Sequence, residues 1–184
     1  MDAVAVIILN YDSSSDCRKC ISFLKKQRGV ELEIVVVDNC SRADDVEQLR
    51  QLCKEQDCTL IENHENRGYN AGNNIGLRYA AEKGYKYALI ANPDMEFPQV
   101  DYVKKLAEIM EKNPEVVVCG SDIVGNDGEH QNPMRRDGGW RTAYVWLSAV
   151  LTQQHVYGLP NNYQESRYCD KGSGGCFVFR VGFF

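Results

Sequence analysis

Val4-Ala5-Val6-Ile7-Ile8-Leu9-Asn10-Tyr11 begins with six apolar residues, most of them β-branched, and then turns polar. A strand with one wet face would alternate; an unbroken apolar run suits a strand buried on both faces of a parallel sheet. The same pattern recurs at 32–37, ending in Asp38-Asn39, and at 87–91, ending in Asn92-Pro93-Asp94. Shorter runs predict strands over 59–62 and 116–119. Between them the apolar residues take helical spacing. Cys17, Cys20, Ile21 and Leu24 share one face, as do Val46, Leu49 and Cys53, then Ile75, Tyr79 and Ala80, then Val103, Leu106, Ala107 and Met110. The corresponding helices are expected over 17–26, from a cap at 41–45 to about 55, over 71–83 and over 100–111. Four strand–helix units in succession imply right-handed crossovers. The fold class is therefore α/β, with a mainly parallel central sheet and helices on both faces.

After Gly120 the regularity fades. A strand and tight turn are expected over 122–128, polar sequence over 129–141, weak helix over 142–157, loop over 158–168 and a last strand over 174–181. Two regions are expected: 1–120, an α/β half that binds the ligand, and 121–184, the start of a second region.

Composition narrows the function. The 184 residues carry a formal net charge of −5, against the basic face a nucleic-acid binder requires. The run at 4–9 is too short for a signal core or a membrane span and has no basic residues ahead of it, so a cytoplasmic location is expected, with the inner membrane face as a further option. Cys17 and Cys20 form a Cys-x-x-Cys, but within a helix and without a second ligand pair at zinc spacing. They read as half-buried residues of a reducing compartment.

In open α/β sheets ligands bind beyond the carboxyl ends of the strands, and three polar strand ends meet on that rim: Asn10-Tyr11-Asp12, Asp38-Asn39 and Asn92-Pro93-Asp94. No Gly-x-Gly-x-x-Gly or Walker loop follows the first strand, which argues against a dinucleotide or P-loop site. Asp38 suits a base N–H or ribose hydroxyl. Asp94 suits a divalent cation, magnesium or manganese, bridging a diphosphate, since these ions take one or two carboxylates and leave other positions to phosphate and water.

Five motifs stand in order: Val6-Ile7-Ile8-Leu9-Asn10-Tyr11, Val35-Val36-Val37-Asp38-Asn39-Cys40-Ser41, the stretch from Glu65-Asn66-Arg67-Gly68-Tyr69-Asn70 to Gly76, Ala91-Asn92-Pro93-Asp94, and Gly174-Gly175-Cys176-Phe177-Val178-Phe179-Arg180. Together they resemble family 2 glycosyltransferases of the GT-A fold, particularly the rhamnosyltransferase-like branch. The resemblance implies an inverting transfer of sugar from a nucleoside-diphosphate sugar, dTDP-rhamnose or a UDP-sugar, to a glycan or lipid-linked glycan acceptor in cell-surface polysaccharide synthesis. It implies donor-binding roles for Asn10, Tyr11, Asp12, Asp38, Asn66, Gly68, Asn70, Asn73 and Asn92. Asp94 becomes the metal ligand, with Asn92 in the first place of an Asp-x-Asp motif and Glu96 as a helper. The family's base lies in a Glu-Asp pair past the last motif. This sequence has no such pair, so the base is expected beyond Phe184 and the chain is expected to be a piece of the enzyme. A non-catalytic nucleotide-sugar-binding module and a nucleotidyltransferase of related fold are the competing readings. Trp140, Tyr144 and Trp146 are candidates for stacking on an acceptor sugar or touching a membrane, and Arg135 and Arg136 for meeting an acceptor phosphate. Packing over the sheet and a solvated pair are the plainer readings.

Overall fold

A computed structural model describes residues 2–125, 127–129 and 175–181. The expectations for Trp140, Tyr144, Trp146, Arg135 and Arg136, and for structure over 130–174, lie outside these residues. Six strands and four helices follow in chain order: β1 (Val4–Asn10), α1 (Ser14–Leu24), β2 (Leu32–Asp38), α2 (Ala43–Gln56), β3 (Thr59–Glu62), α3 (Tyr69–Glu82), β4 (Tyr87–Ala91), α4 (Tyr102–Lys112), β5 (Val118–Gly120) and β6 (Cys176–Arg180). They build one sheet in the order β3-β2-β1-β4-β6-β5. β1 pairs in parallel with β2 and β4, and β2 with β3; β6 runs antiparallel to β4. The expectation of a mainly parallel sheet holds.

Every residue of β1 is buried, as its unbroken apolar run requires. Its odd positions, Ala5, Ile7 and Leu9, join Val35, Val37, Ala88 and Ile90 in a core sealed by Leu77 and Ala80 of α3. The even positions face α1 and α2, and β6 meets α4 on that same side through Tyr102 Oη and Cys176 Sγ, 3.2 Å apart. Arg180 ends β6 with its guanidinium donating to the carbonyls of Met110 (2.6 Å), Asn113 (3.3 Å) and Val116 (3.3 Å) and to Tyr87 Oη (3.1 Å).

The chain forms two compact units: Met1–Cys119 with Gly175–Phe184, and Gly120–Gly174. The second region expected over 121–184 therefore loses its last strand, because β6 is a strand of the first unit's sheet. The reason is local. Cys176 and Val178 are buried, and on the other face Phe179 packs against the α3 core, so β6 needs cover on both faces. In the second unit, the tight turn expected near 126–128 is closed by Gly125 N–H to Glu129 O (2.8 Å), with Gly128 at φ +82°.

Candidate active site

Strand parity decides which rim residues can meet a ligand. Asn10 and Asp38 are register partners on adjacent strands and both point toward α1 and α2. Asn10 Nδ2 donates to Asp38 Oδ1 (3.1 Å), Ser41 Oγ (3.0 Å) and Asp45 Oδ2 (2.8 Å). Its Oδ1 accepts from Ser13 N–H (3.2 Å), Ser13 Oγ (3.0 Å) and Cys17 Sγ (3.4 Å). Asn10 is fully buried, so its whole hydrogen-bonding capacity is used inside the protein. Asp38, 2% exposed, accepts from Asn10, from Ser41 Oγ and from Ser41 N–H (3.1 Å). Asp12 sits at φ +51° and accepts from the N–H of Arg42, the N-cap of α2, at 2.9 Å. Asp45 reaches back from α2 to Ser14 N–H at 3.0 Å in the first turn of α1. Burial pushes the Asp45 carboxyl up, but hydrogen bonds from Ser14 and Asn10 and the charge of Arg42 outweigh it and hold the group below the usual range. These four polar residues form a frame that joins β1, β2, α1 and α2.

In front of that frame lies an open cleft of about 440 Å³ lined by Leu9, Tyr11, Ser13, Asp16, Asn39, Asn66, Tyr69, Asn92, Pro93 and Asp94. It stands at the carboxyl ends of β1, β2 and β4, where an α/β sheet presents its site. Tyr11 and Tyr69 are half exposed, at 56% and 48%. Ser13 and Asp16 were not among the residues expected from sequence, and Asn39 and Tyr69 were named only within a strand end and a motif, without a role of their own. Asn39 had a readable signal: it follows Asp38 and so takes the opposite side of the strand end.

A chain of amides supports the far wall. Asn63 Nδ2 donates to Asn39 Oδ1 (3.2 Å), Asn39 Nδ2 to Asn66 Oδ1 (3.0 Å), and Asn66 Oδ1 also accepts from Gly68 N–H (2.9 Å). Gly68 is the N-cap of α3 at φ +91°, a conformation that favours glycine. Asn70 is exposed in the first turn of α3, outside the cleft lining. Asn73 is buried; its Nδ2 donates to Tyr69 O (3.1 Å), and its Oδ1 has no partner among the described residues.

The near wall is a β-turn. Met95 N–H donates to Asn92 O at 3.1 Å, which puts Pro93 and Asp94 at its two central positions, the first of them suited to proline. Asp94 projects exposed into the cleft mouth. Among the described residues no group of three His, Cys, Asp or Glu side chains could hold a metal by itself. One exposed carboxylate beside space for a diphosphate still fits magnesium or manganese, which keep waters and phosphate oxygens as ligands. Cys17 and Cys20 do not fit a metal. Both are fully buried, burial pushes the Cys20 thiol up to about 12 and Cys17 higher, and Cys20 Sγ donates to Asn92 O at 3.8 Å.

The sequence profile of Glycosyl transferase family 2 matches residues 5–184. The chain belongs to this family. The family 2 chain is 37% identical over 102 residues to the low-salt glycan biosynthesis hexosyltransferase Agl10 of Haloferax volcanii, covering 55% of this chain and 31% of that protein. It is 29% identical over 126 residues to the succinoglycan biosynthesis protein ExoO of Rhizobium meliloti, covering 68% of this chain and 35% of that one. The chain thus spans about a third of the length of these curated relatives. Among solved structures, the mannosyltransferase PcManGT from Pyrobaculum calidifontis, in complex with GDP-Man and Mn2+, superposes with a TM-score of 0.59 at 23% identity, over 67% of this chain and 36% of that one. S. aureus TarS 1-349 in complex with UDP-GlcNAc gives 0.59 at 21% identity, over 73% and 38%. At these identities the structures establish a shared GT-A-like fold. Among the described residues no helix is long and apolar enough to cross a membrane.

Proposed function

We propose that this family 2 domain binds a nucleoside-diphosphate sugar in the cleft and serves an inverting glycosyltransferase that extends a cell-surface glycan or lipid-linked glycan. The observation that carries the reading is the placement of the Asn92-Pro93-Asp94 turn. It sets an exposed carboxylate at the mouth of a cleft whose lining includes two tyrosines, three amides and Asp16, beside the start of α3. A divalent cation held by Asp94 would neutralise the diphosphate as it leaves. The protein's own residues do the rest. Tyr11 offers a half-exposed ring at the end of β1, suited to a nucleobase or sugar face. Asn66 keeps its Nδ2 hydrogens free of acceptors among the described residues while its Oδ1 is held from both sides. Asn10, Asp12 and Asp38 serve the donor by fixing the rim; of the three, Asp12 lies nearest to offering a lone pair, since it is exposed and only its Oδ1 accepts among the described residues. Gly68, Asn70 and Asn73 shape the first turn of α3, whose N-terminal N–H groups favour an anion. We assign no base to any described residue.

The dTDP-rhamnose or UDP-sugar preference rests on likeness to the rhamnosyltransferase-like branch. PcManGT is solved with GDP-Man and TarS with UDP-GlcNAc, so related folds accept more than one base. A thermal-shift panel of UDP, dTDP, GDP and CDP, each with manganese or magnesium, tests the reading. One nucleoside diphosphate should stabilise the chain more with metal than without, and Asp94→Ala should remove the metal increment. Stabilisation by none of the four would sink the donor site.

A further inference from the structure

Asn92 occupies the first place of what is otherwise an Asp-x-Asp turn, and its side-chain oxygen is already engaged. Tyr69 Oη donates to Asn92 Oδ1 at 2.8 Å. On the other side of the amide lies Gly175. A Cβ at Gly175 would overlap Asn92 Nδ2, and Gly175 O accepts from Asn92 N–H at 3.0 Å. The amide thus sets its oxygen toward Tyr69 and its nitrogen against the bare Cα of Gly175. Among the described residues nothing accepts the Nδ2 hydrogens, and Asn92 lines the cleft. Tyr69 is itself anchored, since its carbonyl accepts from the buried Asn73.

A cation ligand must offer an oxygen. An aspartate at 92 would have two, one for Tyr69 and one for the ion. Asparagine has a single, uncharged oxygen, and the bond from Tyr69 takes one of its two lone pairs, so it competes poorly with the Asp94 carboxylate for the ion. We propose that Tyr69 is a positioning residue that locks the Asn92 amide with its N–H toward the bound nucleoside diphosphate, so that Asn92 donates to a phosphate or ribose oxygen and leaves Asp94 as the one protein carboxylate on the cation. This rests on the donor-site reading above and deepens it.

The test uses the full chain and whichever of UDP, dTDP and GDP binds wild type most tightly by calorimetry. Tyr69→Phe removes one hydroxyl and should weaken that ligand about five- to tenfold, the scale of one lost hydrogen bond. Asn92→Ala should weaken it by a similar factor, to the same extent with and without manganese. The double variant should be no worse than either single one. A lost structural contact would not produce the next two signatures. The Asn92 side-chain amide pair in a 15N spectrum, assigned by its absence in Asn92→Asp, should shift on adding the ligand without metal, and should lose its distinct position in Tyr69→Phe. Asn92→Asp should bind manganese more tightly than wild type and the metal-free ligand less tightly. Multiplying losses in the double variant, or an Asn92 amide unchanged by Tyr69→Phe, overturns the lock. So does manganese affinity that falls in Asn92→Ala. Failure of wild type to bind any of the three ligands is the separate result that removes the donor-site reading itself.

Discussion

Gly72 and Gly76 set how closely α3 lies on β1, and the two positions differ in what they meet. A Cβ at Gly76 would overlap Ile7, fully buried in the middle of the sheet; one at Gly72 would overlap Leu9, at 9% exposure beside the cleft. Alanine is the better helix former by about 1 kcal/mol, whereas overpacking a core costs about 1–3 kcal/mol. At Gly76 the neighbour has nowhere to go, so Gly76→Ala should lower stability by roughly 1–2 kcal/mol in urea unfolding. At Gly72 the Leu9 side chain can move into the cleft, so Gly72→Ala should cost less; equal losses would contradict this. The cysteines separate in the same way. Cys40 is exposed, whereas Cys17 and Cys20 are fully buried with thiols that burial keeps protonated. Mapped by peptide after a brief disulfide-exchange pulse, Cys40 should label in the native state and Cys17 and Cys20 only on unfolding. Early labelling of Cys20 would show that the packing behind Asn92 opens. Cys17 and Cys20, expected half-buried, are fully buried because both lie on the inward face of α1. Asn10 carries a different lesson. Its place at a strand end was legible, but the choice between a ligand role and a frame role turns on strand parity and on Ser13, Asp45 and Cys17, partners up to 35 residues away.

At the scale of elements, the long apolar runs and amphipathic helices were readable because burial on both faces and a 3.6-residue period leave no competing pattern. β6 was readable as a strand but not as an antiparallel insertion between β4 and β5, because its pairing with β4 spans a long stretch of chain and leaves no local mark. What holds it there is Arg180, which ties β6 to the last turn of α4 and the segment after it. Arg180→Ala should cost roughly 2 kcal/mol, discounted because the side chain is only partly buried, and should speed amide exchange in Cys176–Arg180 ahead of β1. Uniform acceleration across the sheet would argue that β6 is no separate unit. At the opposite end of the sheet from the cleft, Glu33 of β2 accepts from Tyr79 of α3 (2.8 Å), Thr59 of β3 (2.9 Å) and Tyr85 (3.2 Å). The Tyr79 hydroxyl, joined by those of Thr59 and Tyr85 and by the charge of Lys83, holds the Glu33 carboxyl below its usual value against the effect of burial. A depressed carboxylate stabilises the fold above the unfolded value, near pH 4.3, and loses that contribution as pH falls through the folded value. Glu33→Gln should therefore be less stable than wild type at pH 7, by about 1 kcal/mol after solvent screening. The gap should narrow as the pH falls below the unfolded value and close as it passes through the lower folded value. A gap that persists in acid would assign the loss to packing.

Charge at the scale of the whole molecule bears on the cleft. The chain carries a net −5, and Asp16 and Asp94 both line the space proposed for an anionic diphosphate. Two carboxylates and a diphosphate repel one another unless a cation intervenes, and long-range attraction cannot offset this in a negatively charged protein. Binding without metal should therefore be weak, and should improve with added monovalent salt as screening relieves the repulsion. With manganese the order reverses: added salt should leave affinity unchanged or reduce it, because an ion pair now replaces the repulsion. At a ligand concentration about 100 times Kd the folded state gains about 2.7 kcal/mol, which for a chain of this size raises Tm by about 5–10 °C. The place of that gain can be read separately by hydrogen exchange. Protection should rise at Tyr11, Asn39, Asn66 to Tyr69 and Asn92 to Asp94, which come together at one rim of the sheet, and stay unchanged around Glu33, Thr59 and Tyr85 at the other. Protection centred on the Glu33 end, or metal-free binding that weakens with salt, would move the anion out of this cleft and detach the Asn92-Pro93-Asp94 turn from it.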